Sequence, residues 1–320
     1  MSKLETLQKE LVKQGYNIKK ASEVIDLPKL RTGIFALDDL LSGGISQCEG
    51  GHRIEFWGGE STGKTTFCLH IIKAYQKLGK ACVFVDAEDS FDATWATMIG
   101  VDLDNLLILK PFTLEELGDM LSTLVKTVDL VIIDSIVSMI PEPEIERKTN
   151  EPTMALQARI NSLISKKLYH ALTDELTTVI FINQMRQKVG VMYGSPDTSG
   201  GGKALLHLYN TRVQFRSGKP IDEGTGDNKE RIGHEIHMKC IKNKRGIPYK
   251  TTSLDLYIDG RIDNKKSLFY AGLKHGIIER TGNNYSFGED KILGKDNFLE
   301  QFKEWDKLEK KIWEKLDENN

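Results

Sequence analysis

Gly58-Gly59-Glu60-Ser61-Thr62-Gly63-Lys64-Thr65 fills the pattern G-x-x-x-x-G-K-[ST], directly after an apolar stretch holding Ile54, Phe56 and Trp57 and directly before a helical one over 67–78. In that strand-loop-helix setting the pattern cradles phosphate. Small glycines let the backbone curl until successive N–H groups point inward, and the following helix adds its positive end. Lys64 then reaches the β- and γ-phosphates and Thr65 holds Mg2+, so the chain is expected to bind a nucleoside triphosphate. The motif does not name the reaction, because kinases, motors, switches and recombinases all carry it.

On either side, from about residue 33, the chain repeats apolar strand, glycine-containing turn and helix. Strands are predicted over 53–57, 81–86, 105–109, 130–134, 178–183, 211–215, 234–241 and 252–257, and helices over 64–78, 91–98, 114–123 and 153–172. The early strands are apolar nearly throughout and alternate with helices, which predicts an α/β fold with a mostly parallel central sheet covered on both faces. The later strands follow one another and predict antiparallel additions at one edge. Residues 1–15 read as a short amphipathic helix with Leu4, Leu7 and Leu11 on one stripe, ended by Gly15. Such a helix is marginal alone, so it packs on its own core or on a neighbouring subunit. From about residue 263, Gly272, Gly276 and Gly282 punctuate short elements. A helix over 295–316 follows, with Phe298, Phe302, Trp305, Ile312 and Leu316 as its stripe. The expected organisation is therefore 1–32 as helix and linker, 33–262 as core, and 263–320 as a small α/β lobe.

Composition narrows the setting. No apolar run approaches the roughly 18 residues of a membrane span, and the opening MSKLETLQKELVKQG lacks the apolar core of a signal peptide, so no membrane role and a cytoplasmic location are expected. Cys48, Cys68, Cys82 and Cys240 are scattered and form no C-x-x-C pair; they read as small core fillers. The formal net charge of −2 gives no whole-molecule attraction for nucleic acid, which leaves that work to local basic clusters.

Two segments, 141–152 and 186–202, are polar and keep neither the helical nor the strand period. Both follow buried strands, so both are expected at the carboxyl edge of the sheet, where α/β proteins bind ligands. At that same edge three strand ends carry chemistry. Leu130-Val131-Ile132-Ile133-Asp134-Ser135 has the form of the strand whose terminal carboxylate serves the Mg2+ shell. Val83-Phe84-Val85-Asp86-Ala87-Glu88 offers a carboxylate on the γ-phosphate side, with Glu88 as candidate base for the attacking water; the competing reading has Asp86 or Glu88 cap the next helix. Phe181-Ile182-Asn183-Gln184 ends in an amide placed to sense the γ-phosphate and pass its presence to the glycine-rich segment that follows.

Taken in order, Gly58 to Thr66, Asp86-Ala87-Glu88, Gly100 to Leu107, Ile133-Asp134-Ser135, Phe181 to Gln184, Val189 to Gly194 and Lys242-Asn243-Lys244 resemble the bacterial RecA recombinase family, from about Thr32 to the final helix. The resemblance implies that Lys64, Thr65 and Thr66 bind phosphate and Mg2+, that Asp134 serves the metal, Glu88 the attacking water and Gln184 the γ-phosphate, and that Trp95 lies beside the adenine. It implies that Lys242 and Lys244 reach the ATP of a neighbouring subunit in a helical homo-oligomeric filament. The two polar segments become DNA-binding loops, with Arg159 and Lys166 on the helix after the first. The second carries Arg186, Lys188, Met192, Tyr193 and the turn Gly200, Gly201, Gly202 and Lys203.

The implied activity is a DNA-dependent ATPase that coats single-stranded DNA, takes double-stranded DNA as its second substrate and exchanges strands between them. Cations and backbone N–H groups that contact phosphate without reading bases suit such sequence-neutral binding. Two rivals stand beside this reading, a non-catalytic mediator that uses ATP structurally and a hexameric helicase motor on the same core. The sequence also departs from the family pattern. Gly59 replaces a usual Pro, a change expected to be mild, while Lys203 replaces a usual Asn and Gly200 a frequent Thr, from which a second loop that holds DNA more by charge, with a steeper salt dependence, is expected. The family's acidic C-terminal tail has no counterpart, so no autoinhibition of that kind is expected.

Overall fold

The computed structural model describes residues 2–16, 18–24, 26–145, 154–187, 197–224 and 226–318. In chain order the elements are α1 (Lys3–Lys13), β1 (Asp26–Leu30), α2 (Phe35–Leu40), β2 (Ile45–Cys48), β3 (His52–Gly58), α3 (Lys64–Lys77), β4 (Cys82–Asp86), α4 (Ala93–Ile99), β5 (Leu106–Leu109), α5 (Leu114–Leu124), β6 (Leu130–Asp134), α6 (Glu142–Ile145) and α7 (Met154–Ala171). There follow β7 (Thr178–Gln187), β8 (Asp197–Ser199), α8 (Gly202–Leu208), β9 (Thr211–Glu223), β10 (Glu230–Asn243), β11 (Thr251–Tyr257), β12 (Ile262–Asp263), α9 (Lys265–Lys274), β13 (Glu279–Thr281), β14 (Asn284–Phe287), β15 (Asp290–Leu293), α10 (Lys295–Gln301) and α11 (Trp305–Asp317).

The large sheet runs in the order β12-β11-β10-β9-β3-β7-β6-β4-β5. From β9 to β5 the pairs are parallel, and from β9 to β12 they are antiparallel. The strands buried on both faces, β3, β4, β6 and the first half of β7, lie in the parallel part of the sheet, where helices cover both sides. On one side α3 lays Phe67, Cys68, Ile71 and Ile72 on Ile54, Phe56, Phe84 and Ile132. On the other, Leu117 and Leu121 of α5 and Leu168 of α7 meet Val83, Val131, Ile133 and Phe181. The register aligns Gly58 with Gln184, and Asp86 with Asp134, so the strand ends that carry polar side chains emerge together at the carboxyl edge.

Several expectations are corrected. Strand β9 is parallel to β3, because α8 supplies the crossover from β7; only β10 onward is antiparallel. Residues 186–202 are not all loop: β7 runs on to Gln187 and β8 pairs back on it in the register Met185 to Ser199 and Gln187 to Asp197. That pairing uses backbone groups alone, so a polar sequence carries it without a hydrophobic period. Within 141–152, Glu142–Ile145 forms one helical turn, and 146–152 lie outside the described residues. Inside the expected N-terminal linker, β1 pairs with β2, while α1 buries no residue; Leu4 is 76% and Leu7 50% exposed.

The single helix expected over 295–316 is two. Phe302 leaves the helical conformation (φ −64°, ψ 132°) and stacks on Phe298 at 4.6 Å, with the Trp305 ring against it at 5.0 Å. The break lets α10 lie on β14 and β15 while α11 packs on α9, which one straight helix does not allow. Leu268, Phe269, Tyr285, Phe287, Phe298, Leu308 and Ile312 form the resulting apolar cluster, joined by Phe35 of α2. Among the described residues no helix is long and apolar enough to cross a membrane.

Candidate active site

The phosphate loop leaves β3 at Gly58 and enters α3 at Lys64, with Gly63 at the N-cap position and no side chain capping the helix. The first amides of α3 therefore point out of the helix unclaimed by its own carbonyls. Gly63 has φ +79°, and a methyl there would stand 2.5 Å from Leu256 Cδ2, so both conformation and space demand glycine. Gly59 is different, since a methyl there would meet only Thr62 Cγ2, at 3.8 Å. The usual proline is thus replaced without a steric reason for glycine. Lys64 Nζ donates to Gly59 O at 2.7 Å, and burial pulls its pKa down while Asp134 and Glu88 oppose the shift.

Across the sheet edge Thr65 Oγ1 donates to Asp134 Oδ2 at 2.8 Å. Burial pushes the Asp134 carboxyl up to about 6; the Thr65 hydroxyl opposes the rise and the charge of Glu88 adds to it. A hydroxyl and a carboxylate side by side are hard oxygen donors of the kind Mg2+ takes, together with water and phosphate oxygens. Glu88 is exposed and accepts from Ser135 Oγ at 2.5 Å. The capping duties are carried by others: Asp86 accepts from the Ser90 and Phe91 amides at 2.9 and 3.1 Å, and Asp92 from Trp95 N at 3.0 Å. Trp95 in turn donates its indole N–H to Thr66 Oγ1 at 3.3 Å, which seats it on the first turn of α3. Gln184, exposed within β7, lies next to Gly58 in the parallel register.

The DNA-binding candidates fall on neighbouring elements. Arg159 and Lys166 are exposed, two helical turns apart on α7. Asn161 on the same helix donates to Gly201 O at 3.2 Å and so holds the glycine turn. Arg186 is exposed on the β7–β8 ribbon opposite Thr198, and Lys203 is exposed in the first turn of α8. Gly200 is buried against Val137; Gly201 and Gly202 have φ of +90° and +85°. Lys188, Met192 and Tyr193 lie outside the described residues.

A family model for the RecA N-terminal domain matches residues 2–263. Protein RecA of Frankia alni is 39% identical over 292 residues, covering 89% of this chain and 83% of that protein. Protein RecA of Mesoplasma florum is 34% identical over 317 residues, covering 97% of this chain and 92% of that one. The chain belongs to the RecA family. Family membership makes it one of the ATPase recombinases, which bind DNA and form filaments.

For a RecA-family chain, the position of Lys242 and Lys244 is the telling feature, because one protomer does not bring them to its own phosphate loop. Gly58 pairs with Phe215, while a bulge on β10 sets Lys242 against Arg212 and so level with Glu55, which leaves Lys242 three positions nearer the amino edge, about 10 Å along the strand. There Lys242 Nζ donates to Leu206 O at 2.8 Å, and burial, with Lys244 and Arg212 nearby, lowers its pKa to about 8. Two residues of the site were missed from sequence. Ser135 stands in the quoted strand end, and its hydroxyl was the available signal; Asn161, a lone amide on a long helix, gave none.

Proposed function

We propose that this RecA-family chain is a DNA-dependent ATPase that polymerises on single-stranded DNA and pairs it with homologous double-stranded DNA, exchanging strands. The observation that carries the reading is the separation of two half-sites on one sheet. The phosphate loop, Asp134 and Glu88 occupy the carboxyl edge, and Lys242 and Lys244 the opposite one. Two different surfaces that complete one another across copies make a head-to-tail contact, and such contacts generate helical filaments unless the rotation closes. The exposed apolar stripe of α1 supplies a further surface for an adjacent core.

In this reading the phosphate loop and α3 hold the triphosphate of ATP, with Lys64 on the β- and γ-phosphates. Thr65 and Asp134 would hold Mg2+, which when bound offsets the negative charge of the phosphates. Glu88, oriented by Ser135, takes a proton from the attacking water. Gln184 reads the γ-phosphate beside Gly58. Arg159, Lys166, Arg186, Lys188, the turn at Gly200–Gly202 and Lys203 grip the DNA backbone, Met192 and Tyr193 insert between or stack on bases, and base pairing supplies the test of homology. ATP favours the gripping state to the extent that it binds that state more tightly, and hydrolysis releases the bias.

Electron microscopy of the protein with single-stranded DNA, magnesium and a slowly hydrolysed ATP analogue tests this. Helical filaments are expected. Closed rings would favour a helicase, and protein that stays monomeric and ignores oligonucleotides would end the recombinase reading.

A further inference from the structure

Glu55 lies on β3, three residues before the phosphate loop, and is wholly buried. A lone carboxylate at such depth would give up its charge. Both oxygens are engaged instead. Asn183 Nδ2 on β7 donates to Oε1 at 2.7 Å, and Arg212 Nε on β9 donates to Oε2 at 2.5 Å. The same two partners reach further. Asn183 Nδ2 also donates to the Tyr209 hydroxyl at 3.2 Å, and Arg212 Nη2 donates to Ser199 Oγ at 3.0 Å. Asn183 lies three residues before the second polar segment, Ser199 ends its returning strand β8, and Tyr209 immediately follows α8. One carboxylate on the phosphate-loop strand thus fastens the entrance, the return and the exit of the segment that carries Arg186 and the glycine turn.

Stability alone does not account for this arrangement, because a buried ion pair is commonly matched by apolar packing of the same volume. We infer that Glu55 and Arg212 are positioning residues that transmit the state of the phosphate-loop strand to the β7–β8 ribbon through Ser199, setting how strongly DNA stimulates turnover. The inference rests on the recombinase reading above and deepens it.

Ser199→Ala removes the last link and leaves the buried pair in place. Melting should stay within about 2 °C of the wild type, with nucleotide affinity and DNA-free ATPase within about twofold. The kcat/KM for stimulation by single-stranded DNA should fall about tenfold, and Ser199→Thr, which keeps the hydroxyl, should restore it. Glu55→Gln should lose stimulation further, and adding Ser199→Ala to it should cost little more, since both act on one path. Should Glu55→Gln not fold, the Ser199 pair of variants still decides. A stable Ser199→Ala protein with wild-type DNA stimulation overturns the inference, as does equal loss of DNA-free and DNA-stimulated turnover. A wild type that DNA does not stimulate overturns the recombinase reading and this inference with it.

Discussion

The Thr65 hydroxyl donates to the Asp134 carboxylate at 2.8 Å, joining the first turn of α3 to the end of β6. Burial raises that carboxyl to about 6, so if Asp134 holds the magnesium of the proposed site, a proton should compete with the metal there in mildly acidic solution. Turnover should therefore fall as pH drops below about 6, and raising magnesium should move the midpoint to lower pH. Asp134→Asn should reduce turnover on the order of 100-fold or more. Steady-state ATPase measured against pH at two magnesium concentrations checks both, and a midpoint indifferent to magnesium would refute the assignment.

Glu88 and Lys64 should separate binding from chemistry. Lys64→Ala should abolish ATP-dependent DNA binding, because it removes the ammonium that donates to Gly59 O inside the phosphate loop. Glu88→Gln should keep nucleotide and DNA binding but stall hydrolysis, with a loss on the order of 100-fold. Ser135→Ala leaves the carboxylate in place without its partner and should cost about tenfold. Nucleotide binding by fluorescence and turnover by phosphate release check the set; a Glu88→Gln protein with normal turnover removes it as the base.

What could be read from the sequence follows from how each residue signals. The strands β3, β4, β6 and β7 announced themselves because burial on both faces keeps runs of their positions apolar, and the phosphate loop because its glycines answer to backbone geometry. Strand β8 was missed because Asp197, Thr198 and Ser199 bond through their backbone and show no apolar period. The break at Phe302 was missed because its aromatic spacing still fits a helix, and what distinguishes α10, its seat on β14 and β15, lies in tertiary packing. Glu55 and Arg212 gave no signal, since each has its partner 157 residues away along the chain and no spacing ties the two together.

The two glycines of the phosphate loop should respond differently to alanine. Gly63→Ala sets a methyl against Leu256 in a left-handed conformation, and a loss of about 1–3 kcal/mol in stability is expected from the backbone alone. Gly59→Ala makes only an ordinary contact with Thr62 Cγ2 and should change stability by less than about 0.5 kcal/mol. Urea denaturation of both variants provides the comparison, and equal losses would contradict it.

His52 and Asp38 should oppose each other in acid. His52 is buried, accepts from Ser46 N at 3.1 Å through Nδ1 and meets Thr211 Oγ1 at 2.8 Å through Nε2; burial lowers its pKa from 6.5 to about 3. The unfolded chain binds this proton first, so stability is lost as pH falls from 6.5, by about 1.4 kcal/mol per unit. Asp38 accepts from Thr32 N at 2.9 Å and 3.0 Å, and burial raises it from 3.8 to about 7. Here the folded chain binds the proton first, so stability is gained over about the same range. Relative to the wild type, His52→Gln should gain stability toward acid and Asp38→Asn should lose it between pH 6.5 and 4. Urea titrations at each pH check the slopes, and parallel curves for all three proteins would dismiss both groups as the source.

Lys242 makes assembly itself pH-dependent if it meets the triphosphate of the next protomer. Burial and the neighbouring Lys244 and Arg212 hold its pKa near 8, so around that pH the free protein carries the side chain partly neutral. A phosphate brought beside it favours the ammonium, and assembly should take up a proton there. Between pH 8 and 9.5 ATP-dependent filament formation should weaken by up to about tenfold per unit. Lys242→Arg keeps its charge throughout that range, so it should flatten the dependence, even if the longer fork lowers affinity at every pH. Light-scattering assembly curves against pH, with calorimetry in buffers of different ionisation enthalpy, give the two readouts. Proton uptake that persists unchanged in Lys242→Arg would assign it to another group and break the link between this lysine and the shared nucleotide.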